Sequence, residues 1–163
     1  TLPAPNRKAL VDFQKKVAET SRKVSAAINY ANELQKKVVA IKQTILNANN
    51  TTTEMMTEIQ AIEKDLDIII FAFNGLRPKA SYEEIPPHMP SISRRLNYVV
   101  RAHYNSTAAI TQTEKDQLAI VEEQMPGLIE KLREIGTKDI VGLEKKLDNA
   151  GVPWTSGRLP EWK

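Results

Sequence analysis

From Ala9 to Asn47 the chain carries neither proline nor glycine, and its apolar residues recur every seven positions. Leu10, Val17, Val24, Ala31, Val38 and Ile45 form one series, and Phe13, Ala27, Leu34 and Ile41 form a second, with Thr20 its one polar member. Residues three and four apart share a helix face, so the two series make one apolar stripe, widened by Val11, Ala18, Ile28, Val39 and Leu46. At 1.5 Å per residue this helix is about 60 Å long, far beyond the average, and it needs partners along its whole length.

The rest of the chain has to supply them. A length of 163 residues, 41% hydrophobic and 26% charged, suits one soluble helical domain spanning 1–163. The densest apolar patch, Leu66 to Phe73, is too short to span a bilayer, so no membrane insertion is expected. With no cysteine there is neither a disulfide nor a thiolate site. The start, Thr1-Leu2-Pro3-Ala4-Pro5, reads as a linker from a preceding domain.

Asn6 is placed to cap the first helix, and Asn47, Asn49 and Asn50 to end it. A second helix, antiparallel to the first, opens on the capping-box spacing Thr51 to Glu54. It carries Met55, Ile59, Ile62, Leu66, Ile69 and Phe73 at helical spacing and stops at Asn74-Gly75 with a Schellman-type cap. Pro78, Pro86, Pro87 and Pro90 then make a long connection, the natural cover for the apolar end of that helix. A third helix begins near Ser91 or Ser93, with Ile92, Leu96, Val99, His103 and Ile110 on one face, and is expected to run to Ala109–Gln112. Thr113 is expected to cap the fourth.

In the fourth segment Leu118, Val121, Met125, Leu128, Leu132 and Ile135 keep regular order, but Ile140, Leu143 and Leu147 come one place late. The slip predicts a break at Gly136-Thr137, and Pro126 predicts a kink. These features predict an all-α, antiparallel up-down-up-down helical bundle with a long first helix and a kinked fourth. An ordered C-terminal strap over 152–163 completes it.

Chemistry is hard to find in this pattern. His88 and His103 lie on different segments without metal-ligand spacing, so no metal site is expected, and His103 reads as a partly buried residue with a hydrogen-bond partner. Glu83-Glu84 and Glu122-Glu123 are sequence neighbours on solvated faces, not a convergent catalytic pair. There is no phosphate-binding loop or nucleophile elbow, so no catalytic residue and no cofactor are assigned. Lys15-Lys16, Arg22-Lys23, Lys36-Lys37 and the strip Arg94, Arg95, Arg101 lack the stacking aromatics of a nucleic-acid binder, and no nucleic-acid partner is expected. Asn49, Asn50 and Asn105 begin glycosylation-like triplets.

Three stretches together carry a resemblance. They are the proline-rich start, the helix Lys138-Asp139-Ile140-Val141-Gly142-Leu143-Glu144-Lys145-Lys146-Leu147, and the ending Gly151-Val152-Pro153-Trp154-Thr155-Ser156-Gly157-Arg158-Leu159-Pro160-Glu161-Trp162. The chain resembles the C-terminal helical region of large bacterial sortilin-type β-propeller proteins with BNR-like repeats, often labelled glycosyl hydrolases. The resemblance implies a non-catalytic accessory domain of a periplasmic or extracellular protein, with any carbohydrate chemistry in the propeller and the preceding domain as partner. An intracellular helical scaffold and, more weakly, a polyanion-binding bundle are the other readings.

Two long and two short helices leave one end of such a bundle uncovered. Leu10, Phe13, Val17, Leu143, Leu147, Trp154 and Trp162 are therefore the expected interface for the preceding domain.

Overall fold

The structure, a computed structural model, describes residues 5–76, 86–104, 106–160 and 162. The first four residues of the expected linker, the connection 77–85 with Pro78, Glu83 and Glu84, and Asn105 lie outside the described residues. Among the described residues five α-helices follow one another: α1 (Arg7–Asn47), α2 (Thr53–Asn74), α3 (Ile92–Ala102), α4 (Gln112–Glu134) and α5 (Ile140–Asn149). A π-helical turn, Ile135–Asp139, joins the last two, so α4, the turn and α5 make up the deformed fourth helix. Among the described residues there is no strand.

Side chains and backbone at the helix ends explain these bounds. Asn6 caps α1, its Oδ1 accepting the Ala9 amide at 3.0 Å. Ser91 caps α3 in the same way through Arg94. Two other caps sit one and two residues from where the spacing put them. Thr52, not Thr51, receives the Met55 amide at the start of α2, while Thr51 donates back to the carbonyls of Ile45 and Ala48 at the end of α1. Thr111, not Thr113, caps α4. The α3 helix closes at Ala102, well short of Ala109, where the Tyr104 amide bonds the Arg101 carbonyl; Ile110 therefore belongs to the connection.

Gly75 ends α2 at φ +72°, its amide returning to the Phe71 carbonyl at 2.7 Å, which is the simpler left-handed cap. The full Schellman pattern appears instead after α5. There Gly151 has φ +67° and bonds Asp148, and Val152, buried, bonds the Leu147 carbonyl at 3.1 Å.

The phase slip of the fourth segment has a direct cause. A π-helical turn takes in one extra residue, so a stripe that would have continued through 139, 142 and 146 continues through Ile140, Leu143 and Leu147, all three buried. Thr137 Oγ donates to the Arg133 carbonyl at 2.7 Å, occupying an acceptor within the altered ladder. The helix also continues through Pro126, which lies inside α4.

The chain forms two compact units, and α1, α2 and α4 each pass from one to the other. The first comprises Thr1–Ile28 with Ile70–Leu128; the second, Asn29–Ile69 with Ile129–Lys163. In the first unit α3 runs antiparallel to α4, with Arg95 beside Gln117 and His103 beside Glu114. The connection does reach the apolar end of α2, where His88 lies 6.1 Å from the Phe71 ring.

The second unit departs from strict up-down alternation. Its α2 is antiparallel to α1, as Lys42 and Glu63 show, and also antiparallel to α5, where Lys146 meets Glu58. Accordingly α5 runs parallel to α1: Gly136 lies against Tyr30 and Leu34, Lys37 pairs with Glu144, and Asn50 bonds the Ala150 carbonyl. Three helical segments pack here instead of four, and one antiparallel neighbour shared by two helices makes those two parallel.

In α1 both heptad series point inward: Leu10, Val17, Val24, Ala31, Val38, Ile45, Ala27, Leu34 and Ile41 are buried, and so is Thr20. The row expected to widen the stripe does not. Val11, Ala18, Val39 and Leu46 are exposed and Ile28 is half-buried, because a position one residue past the stripe lies 100° around the helix, at the edge of what the neighbours cover.

Candidate functional site

The first unit holds a buried polar cluster beside an open groove. Thr111-Gln112-Thr113-Glu114 is a capping box: the Thr111 amide and hydroxyl both donate to Glu114 Oε2 at 2.6 Å, and the Glu114 amide donates to Thr111 Oγ at 3.3 Å. The other carboxylate oxygen, Oε1, lies 2.6 Å from His103 Nε2, an ion-pair distance whose angles fall outside the hydrogen-bond range. Both side chains are almost fully enclosed, His103 at 7% exposure and Glu114 at 3%. Burial acts to raise the Glu114 pKa, but the Thr111 hydroxyl and amide and the neighbouring His103 outweigh it, and the carboxyl sits below its ordinary value.

His103 is positioned by the end of α3, for which it is the C-cap, and its ring meets Phe13 of α1 edge-on at 6.3 Å. Between α1 and α3 lies a groove of about 380 Å³, walled by Phe13, Val17, Ala18, Val99 and Val100, with Gln14, Ser21, His103 and Tyr104 its polar members. The histidine read from the sequence as partly buried is almost fully enclosed, and in place of the expected hydrogen-bond partner it faces Glu114 at ion-pair distance.

The second unit builds its polar cluster around the C-terminal tail. Glu144, buried on α5, receives Lys37 of α1 at 2.8 Å and lies 3.6 Å from Arg158 Nε. Arg158 also pairs with Asp148 and lays its guanidinium 4.3 Å over the Trp154 ring. Val152 and Thr155 are buried, so the strap is anchored. Its large apolar groups nonetheless face outward: Trp154 is 46% exposed, Leu159 92% and Trp162 97%.

The residues of the expected interface divide between the two units. Leu10, Phe13 and Val17 belong to the first unit, and Leu143, Leu147 and Trp154 to the second. Leu10, Val17, Leu143 and Leu147 are core residues, Phe13 is half-buried against the groove, and only Trp154 and Trp162 present themselves to solvent. The sequence reading missed Glu114, Glu144 and Arg158. The Thr111-to-Glu114 spacing could have revealed the first, and a glutamate beside Leu143 on the inward face hinted at the second; Arg158 has no local signal.

Most of the basic strips are neutralised in place. Lys16 pairs with Glu122, Arg22 and Lys23 with Glu19, Lys36 with Glu33 and Lys37 with Glu144, while Arg95 is buried and donates to Gln117 at 2.7 Å. Among the described residues no group of three or more potential ligands could hold a metal ion, and no helix is long and apolar enough to cross a membrane.

No protein-family model, curated protein or solved structure matches this chain.

Proposed function

We propose that this chain is a non-catalytic helical module that docks onto a neighbouring domain of a larger exported protein through its C-terminal tail. The observation that carries the reading is the contrast within that tail. Arg158, Val152 and Thr155 fix its backbone against the second unit, while Trp154, Leu159 and Trp162 face solvent. Arg158 lies over the Trp154 ring, which removes part of the entropy cost of ordering that side chain on contact, and tryptophan is enriched among interface hot spots. The sortilin-type β-propeller parent, and with it the periplasmic or extracellular setting, rests on the ending Gly151 to Trp162 and its resemblance alone.

The test compares two contexts. Trp162→Ala and Leu159→Ala should leave the melting temperature of the isolated chain unchanged and lower that of the longer polypeptide in which it occurs. Equal effects in both contexts would remove the docking reading. A natural sequence without a β-propeller ahead of Thr1 would remove the family reading and leave the tail surface to another partner.

A further inference from the structure

The groove of the first unit has a feature that a solvent-facing crevice does not need. Three buried polar atoms of its lining residues, His103 Nδ1 and Nε2 and Ser21 Oγ, have no hydrogen-bond partner among the described residues, and of these only Nε2 has a charged group facing it, the Glu114 carboxylate. Buried polar atoms are almost always partnered, because leaving one unmade forfeits its hydration without compensation. Both residues line the same groove, whose remaining wall is mainly apolar.

From this geometry we infer that the groove binds a small neutral molecule with an apolar body and a single hydroxyl, of the phenol or alcohol class. The size suits it. A cavity of about 150 Å³ already accommodates benzene when its lining is apolar, and this one measures about 380 Å³. The body lies along Phe13, Val17, Ala18, Val99 and Val100.

The hydroxyl follows from the two groups it has to satisfy. Nε2 faces a carboxylate oxygen at 2.6 Å, which leaves Nδ1 as the ring nitrogen for a ligand, and a hydroxyl, able both to donate and to accept, can serve that nitrogen and the Ser21 hydroxyl together. Ser21 Oγ can take either role. Both atoms are closed to the groove surface as they stand, so the ligand hydroxyl exchanges a hydrogen bond with each only after the half-buried Ser21 and the His103 ring shift toward it. A ligand carboxylate fits worse, because only the imidazole would separate it from Glu114.

The test is an NMR titration of the full chain with p-cresol, using toluene as the same body without the hydroxyl. Saturable binding of p-cresol is expected, with shifts centred on Ala18, Val99 and Val100 and an affinity about tenfold above that of toluene, the contribution of about one hydrogen bond. Ser21→Ala should lower the p-cresol affinity about tenfold and leave that of toluene unchanged. Ala18→Phe, at an exposed helix position, should fill the groove and abolish both while the circular dichroism spectrum stays the same. Equal affinities for the two probes, p-cresol binding indifferent to Ser21→Ala, or binding that survives Ala18→Phe would each overturn the assignment. So would the absence of saturable binding.

Discussion

The Tyr30 hydroxyl of α1 rests against the Cα of Gly136 in the π-helical turn, where a Cβ would collide with it. Glycine thus lets the aromatic ring lie directly on the backbone at the point where the fourth helix changes register. Gly136→Ala should cost no more than about 1 kcal/mol, since the colliding Tyr30 hydroxyl is the tip of a side chain 42% exposed that can swing aside, while the Leu34 methyl has to give only slightly. In a Tyr30→Ala background the collision is gone, and the same change should be neutral or stabilising by about 0.5–1 kcal/mol, as for alanine over glycine in a helix. Equal costs in both backgrounds, measured by urea denaturation, would refute the contact.

Gly142 is the opposite case. It is exposed, lies within α5, and a Cβ there would meet nothing within 4 Å. Gly142→Ala should raise stability by about 0.5–1 kcal/mol. A loss of that size would mean that the α5 face is more crowded than the structure shows.

Leu34 belongs to the inward stripe of α1 and is buried. Leu34→Asp should destabilise by about 3–5 kcal/mol, because the carboxylate would be enclosed without a partner. A thermal melt coinciding with wild type would show the heptad register to be wrong.

Glu114 gives the chain an acid dependence of known sign. Its folded pKa lies below the ordinary carboxylate value, so its stabilising contribution is complete above the unfolded value of about 4.3 and is lost as pH falls through the folded one. Glu114→Gln should therefore cost about 1–2 kcal/mol at pH 7, for the capping box and the His103 contact. The gap between variant and wild type should narrow as pH drops below about 4. A gap that stays constant from pH 7 to pH 3 in denaturant titrations would contradict the ionised capping box.

Arg158 is the latch of the tail. Arg158→Ala leaves Glu144 with Lys37 alone and frees the Trp154 face, at an expected cost of about 1–3 kcal/mol, below that of a buried charge left wholly unpaired. Amide exchange at position 158, whose N–H bonds the Thr155 carbonyl, should accelerate, and Trp154 emission should shift to the red. Unchanged protection there would show that Val152 and the Schellman turn hold the tail without the Arg158 side chain.

Much of the fold was legible in the residues. The long α1 followed from its heptads, the end of α2 from Asn74-Gly75, and the break in the fourth helix from a stripe one place late at Ile140. Each of these depends on residues within a few turns of one another. The third helix was overextended because Ile110 fits its periodicity by chance, whereas the Tyr104 amide turns back to Arg101 and ends the helix there.

The candidate sites were less legible. Their geometry depends on partners far apart in the chain, such as Phe13 with His103 and Lys37 with Glu144. The sequence by itself determined which segments are helical, where they stop and which face of each is apolar, because backbone propensity and side-chain periodicity are set by near neighbours. Only the tertiary structure decided that α5 lies parallel to α1, that Val39 and Leu46 stay outside while Thr20 goes in, and that the tail is latched with its tryptophans outward. Those outcomes depend on which apolar faces meet and on which charges lose their water when they do, and that is settled by contacts across the whole chain.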